Sequence, residues 1–157
     1  SSGWFGGMAP GFALKARLGL RILMPLSIRL KGYALTSAIG LGEDLPAQVA
    51  RQWGQWCAAG GYATNAVKNQ AAQDFHAHVR TPITVLYAAD DQIATAITVQ
   101  DFLRTLPHAP QQALQVHHHN YQLPDLGHMN WFRPSHQAIW PLIYQALKGE
   151  SLPSESA

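Results

Sequence analysis

Asp91 and, 37 residues later, His128 are of the right types to share a proton. An aspartate that accepts a bond from a histidine ring N–H fixes the tautomer and stabilises the imidazolium formed when the ring takes a proton from a serine. Such a pair is the base half of nucleophilic hydrolysis, a chemistry that implies no cofactor. The run His117-His118-His119 invites a metal ion. Neighbouring strand residues point to opposite faces, however, so at most His117 and His119 share one, and no metal is expected there. The lone cysteine, Cys57, excludes an intramolecular disulfide and a Cys-based zinc site, and reads as a small apolar packing residue. Trp53 and Trp56 are candidates to line an acyl or aromatic substrate pocket, although an aromatic helical face is more often core.

Catalytic side chains of open α/β sheets gather beyond the carboxyl ends of the strands, so each candidate should follow one. After Thr81-Pro82, the segment Ile83-Thr84-Val85-Leu86-Tyr87-Ala88 is a short, mostly apolar, β-branched run of the kind that forms a buried parallel strand, and Ala89-Asp90-Asp91 is its loop. Val99, Phe102, Leu103 and Leu106 then fall on one helical face, and Pro107 stops the pattern. A second strand is predicted over Ala113 to His117, then a loop to His128, then a last helix on Ile139, Leu142, Ile143, Ala146 and Leu147 with Pro141 in its first turn. This order implies α/β architecture, with parallel strands joined by a right-handed crossover. Two strands do not make a stable sheet, so this half should lean on a sheet supplied from elsewhere.

The first half reads as helical. Residues 1–7 hold three glycines and form a loop, and the apolar residues from Phe12 to Leu30 recur at helical spacing until Pro25 ends or kinks the helix, giving two short helices. Asp44 is placed to cap a helix starting at Leu45 or Pro46. Val49, Trp53, Trp56 and Cys57 give that helix a buried aromatic face, and Gly60-Gly61 ends it. From Thr64 to His78 the chain is polar without strong periodicity, and residues 150–157 read as a disordered tail.

Val85-Leu86-Tyr87-Ala88-Ala89-Asp90-Asp91-Gln92-Ile93 resembles the strand, loop and acid that precede the penultimate large helix of α/β-hydrolases, with Ala88 where that loop usually has glycine. Leu126-Gly127-His128-Met129-Asn130-Trp131-Phe132 resembles the loop carrying the family's catalytic histidine. Ser-Gly-Trp at the start, the Asp-Leu-Pro…Gln-Trp…Trp-Cys segment and the closing Phe-Arg-Pro…Trp-Pro are similar to a bacterial group described as predicted α/β-hydrolases, so the likeness spans nearly the whole chain. It implies that Asp91 is the acid, leaving Asp90 solvated, and that His128 is the base of a serine-type triad. It also implies that residues 1–7 follow a core-sheet strand, 8–80 form an inserted helical cap, and 81–149 are the C-terminal part of an incomplete α/β-hydrolase core. The family's nucleophile sits in a G-x-S-x-G turn between strand and helix, and no complete copy occurs here. Ser1 has Gly3 two residues on, but the glycine-rich run from Trp4 to Gly11 does not open a helix, so the serine and both oxyanion donors are expected outside these residues.

A chain of 157 residues suits one domain with a real core. Its charged fraction, 13%, is about half of the roughly 25% usual for soluble domains, which points to much buried surface or a missing partner. The excess of 11 Lys+Arg over 9 Asp+Glu is too small for a nucleic-acid footprint. Acidic residues are absent before Glu43, and Lys15, Arg17, Arg21 and Arg29 read as a solvated basic face in preference to one that meets anionic lipid. No leader-like segment opens the chain, and its most apolar stretch, Leu18 to Leu30, is broken by Arg21, Pro25 and Arg29, so the expected location is cytoplasmic. The expected partners are a small-molecule ester or amide, and a missing N-terminal half or another copy of the chain. The competing reading is a non-catalytic interaction module that pairs its sheet edge with another chain.

Overall fold

Pro25 has no amide hydrogen to return to the carbonyl of Arg21, and the helix accommodates it with a wider turn. Helix α1 (Pro10–Leu18) runs into a π-helical turn over Gly19–Leu23, where the Met24 N–H bonds the Gly19 carbonyl five residues back. Helix α2 (Met24–Lys31) resumes with Pro25 in its first turn, where a missing donor costs nothing. The two expected helices are therefore present, joined by this turn without a loop.

The computed structural model describes residues 2–39, 43–65 and 74–153. These residues fall into two compact units, Ser2–Asp74 and Phe75–Ala157, each with its own apolar core. Ser1, residues 66–73 of the polar stretch and residues 154–157 of the tail lie outside the described residues. Among the described residues, no helix is long and apolar enough to cross a membrane.

In the first unit, strands β1 (Tyr33–Ala34) and β2 (Leu45–Pro46) pair antiparallel, and helix α3 (Ala47–Cys57) comes immediately after. The expectation for Asp44 fails here. Leu45 and Pro46 are drawn into the β1 pairing, α3 starts at Ala47 without a side-chain cap, and Asp44 Oδ1 instead accepts bonds from the Ser37 amide (3.1 Å) and hydroxyl (2.7 Å). The buried line of α3 is also displaced from the expected one. Ala50 and Cys57 enter the core with Phe5, Leu20 and Met24, Trp53 packs on its margin, and Val49 is exposed. Burial pushes the Cys57 thiol up to about 12, so it behaves as the small apolar residue its solitude suggested. Gly3 is required for close approach: a Cβ there would sit 2.6 Å from the Tyr62 ring.

The second unit is a small parallel sheet with flanking helices. Strand β3 (Ile83–Ala88) lies parallel to β4 (Gln111–Val116), in the register Ile83↔Gln111 to Ala88↔Val116. Helix α4 (Ala96–Leu103), capped by the Thr95 hydroxyl, connects them, and helix α5 (Trp140–Leu147) closes the unit. Leu86, Ala88, Leu114 and Val116 share one sheet face, and Leu142 and Ile143 of α5 join them in the core. Along β3 only Ala88 is buried, although a parallel strand is expected to be covered throughout. The reason is topological: among the described residues β3 pairs with β4 alone.

Candidate active site

The Ala89 amide bonds the Val116 carbonyl (2.9 Å), so pairing with β4 persists just past β3 before the chain turns at Asp90 and Asp91. Both acids thus sit at the carboxyl end of the parallel pair, where such sites form. Asp91 is buried, with its side chain 3% exposed. Its Oδ1 accepts the amides of Ile93 (2.7 Å) and Ala94 (2.9 Å), and its Oδ2 lies 2.8 Å from His128 Nδ1. A carboxylate only accepts, so Nδ1 carries the proton and Nε2 is left as the nitrogen able to take one. The His128 ring is 42% exposed, enough to meet a substrate.

Each partner tunes the other. Burial pushes the Asp91 carboxyl up, but the bonds from His128, Ala94 and Ile93 outweigh burial and hold it below the ordinary carboxylate value. The bond to Asp91 raises His128 above the ordinary histidine value, with burial opposing.

Asp90, expected to be solvated, bridges the two strand-end loops. Its Oδ2 accepts the Leu126 amide and its Oδ1 the Gly127 amide, both at 3.0 Å, which ties the histidine loop to the end of β3. Burial raises Asp90, and these two bonds outweigh it, so its carboxyl also lies below the usual value. The loop has three further restraints. The Leu126 side chain is fully buried, Trp131 Nε1 donates to the Gly127 carbonyl (3.2 Å), and His136 Nε2 lies 2.9 Å from the Asp125 carbonyl. Gly127 has φ +49°, a left-handed conformation that a side chain would strain, and it lets the backbone turn so that both amides meet one carboxylate.

His128 forms part of the wall of an open concavity of about 680 Å³, with Thr84, Leu86, Trp131, Phe132 and Leu147 among the other lining residues. A second Ser–His–Asp arrangement lies nearby in sequence: the Ser135 hydroxyl is 2.9 Å from His136 Nδ1, and Asp125 Oδ1 is 3.2 Å from Nε2. His136 is buried, and none of the three lines the concavity, so the arrangement braces the histidine loop. Trp53 and Trp56 belong to the other unit, where they line a concavity of about 290 Å³ with Leu45, Val49 and Gln52. Their unit does not contain Asp91 or His128. His117 comes just after the end of β4 and His118 begins a 3₁₀ turn, so strand alternation does not govern the three histidines, and His118 Nδ1 donates to the Leu123 carbonyl (2.8 Å). Among the described residues no group of three or more His, Cys, Asp or Glu is placed to hold a metal ion.

Comparison of the chain with protein-family models, with curated proteins and with solved structures found no match.

Proposed function

We propose that this chain carries the acid and base of a serine-type α/β-hydrolase, with His128 as general base, Asp91 as the acid that orients it, and a nucleophile lying outside these residues. The observation that carries the reading is the 2.8 Å contact between His128 Nδ1 and the buried Asp91 carboxylate, beside an apolar concavity. Neutral His128 takes the proton of the serine hydroxyl as the serine oxygen attacks an ester carbonyl. Asp91 stabilises the imidazolium, which then gives its proton to the departing alkoxide. Water, activated by the same ring, releases the acid and restores the serine. Esters suit this scheme better than amides, whose leaving groups are poorer.

The test is hydrolysis of short-chain aryl esters by a polypeptide that also supplies the serine. His128→Gln should cost about a millionfold in kcat, and Asp91→Asn about ten-thousandfold. Full activity in His128→Gln would reject the reading.

One observation favours a second reading, a non-catalytic interaction module. Among the described residues β3 has a single partner strand, and Phe132, Tyr144 and Leu147 expose large apolar surfaces in the same unit. The two readings part on the sequence that precedes this segment in its gene: an intact G-x-S-x-G turn supports the enzyme, and its absence supports the module.

A further inference from the structure

The helices α1 and α2 bury one ladder of residues and leave another, equally apolar, facing away from the core. Leu20, Met24 and Ile28 are buried at intervals of four. Leu14, Leu18, Ile22, Leu26 and Leu30 also recur every four residues, yet each is between 49% and 74% exposed. In an α-helix a four-residue step overshoots one turn, so a ladder of this length would drift round the helix. The π turn at Gly19–Leu23 has more residues per turn and undershoots, which returns the ladder to one face. A continuous aliphatic stripe on the outside of a unit that already has a core marks an interaction surface.

The charges beside the stripe say what it meets. Arg17, Arg21 and Arg29 form the adjacent four-residue ladder on one side, Lys15 and Lys31 fall on the other, and all five are exposed. No acidic residue occurs before Glu43, and the ion pairs among the described residues lie in the other unit. A second copy of the same face is a poor fit, because it would set cations against cations. Leucine and isoleucine alone on the apolar side, with long flexible cations at its edges, match the boundary of an anionic bilayer. There the stripe enters the acyl region, and the Arg and Lys stems reach back to the headgroups. We propose that the outward face of α1 and α2 docks this protein on an anionic lipid surface.

The experiment is co-sedimentation of the chain with vesicles of phosphatidylcholine alone or of phosphatidylcholine with a minority of phosphatidylglycerol. The expected result is partition onto the anionic vesicles only, weakening as salt is added. Leu18→Ser, Ile22→Ser and Leu26→Ser should each lower the partition about tenfold, the factor expected for one aliphatic side chain withdrawn from an apolar phase. Combined Arg17→Gln, Arg21→Gln and Arg29→Gln, which leaves Lys15 and Lys31, should weaken the preference for phosphatidylglycerol at least about tenfold. These positions lie outside the buried core, so far-UV circular dichroism should report an intact fold. Should the combined variant unfold, the single Ile22→Ser substitution decides by its own partition. A chain that stays in the supernatant with anionic vesicles, or an Ile22→Ser variant that partitions like the parent, overturns the proposal and leaves the stripe as a face for another protein.

Discussion

His128 and Asp91 shift one another in opposite directions, and that gives the pair a pH signature. His128 is raised from 6.5, so its contribution to folding is complete below that value and is lost as the pH rises through the folded value. Asp91 is lowered from 3.8, so its contribution is complete above that value and is lost as the pH falls through the folded one. A general base works only when neutral. If His128 is the base proposed above, the acid limb of kcat/KM in a polypeptide that also supplies the serine should therefore lie above pH 6.5, and Asp91→Asn should move it to lower pH. A limb unmoved by that substitution would separate the rate from the dyad. The amide of Asp90→Asn has one atom that cannot accept a hydrogen bond, so either Leu126 or Gly127 loses its partner. Loss of the part-buried Leu126 bond costs about 1–3 kcal/mol, and loss of the exposed Gly127 bond costs less because water replaces it. With the loop loosened, His128 should titrate closer to the ordinary histidine value, which imidazole NMR measured alongside urea unfolding would read. The pairing of Asp91 with His128 was legible because both residues come after strands and their order resembles a known motif. The part played by Asp90 was hidden because its partners are backbone amides 36 and 37 residues away, which have no sequence signature.

The strands and helices were legible to different degrees, for local reasons. β3 was read to its correct limits because a β-branched apolar run bounded by Pro82 and two aspartates admits few other conformations. The other strand was expected from Ala113 to His117 and runs from Gln111 to Val116, since two glutamines give little hydrophobic signal. In α3 the large residues drew attention to a Val49–Trp53–Trp56–Cys57 face. The core takes Cys57 as expected, but Ala50 in place of Val49 and the tryptophans. Trp53 is left partly buried on the core margin, with its ring also walling a shallow concavity. Truncating a fully buried Trp costs about 3–5 kcal/mol. Trp53→Ala should therefore cost less, about 1–3 kcal/mol, while the unit stays folded. A loss well above about 3 kcal/mol, measured by chemical denaturation, would make the ring a core residue and remove it from the candidates for substrate contact.

At the scale of the molecule, the proposed function asks this chain for only half of a catalytic arrangement. The unit from Phe75 onward brings His128, the Asp91 carboxylate and an apolar concavity to one place, but among its described residues the serines are Ser135, whose hydroxyl is engaged by His136, and Ser151. Neither lines the concavity beside His128. In the other unit, Ser2 is 2% exposed, too buried for its hydroxyl to meet a substrate. A His–Asp pair without a serine and without donors aimed at the developing oxyanion lacks both covalent chemistry and the main electrostatic stabilisation of the transition state. The 157 residues alone should accordingly show no hydrolysis of a short-chain aryl ester above that of His128→Gln. The comparison with His128→Gln matters, because the other histidines, present in both proteins, can cleave activated esters slowly, and only turnover in excess of that background counts. Robust turnover abolished by Ser1→Ala would place the nucleophile at the start of this chain. Turnover that survives Ser1→Ala but disappears in Ser135→Ala would instead assign it to the Ser135–His136–Asp125 arrangement.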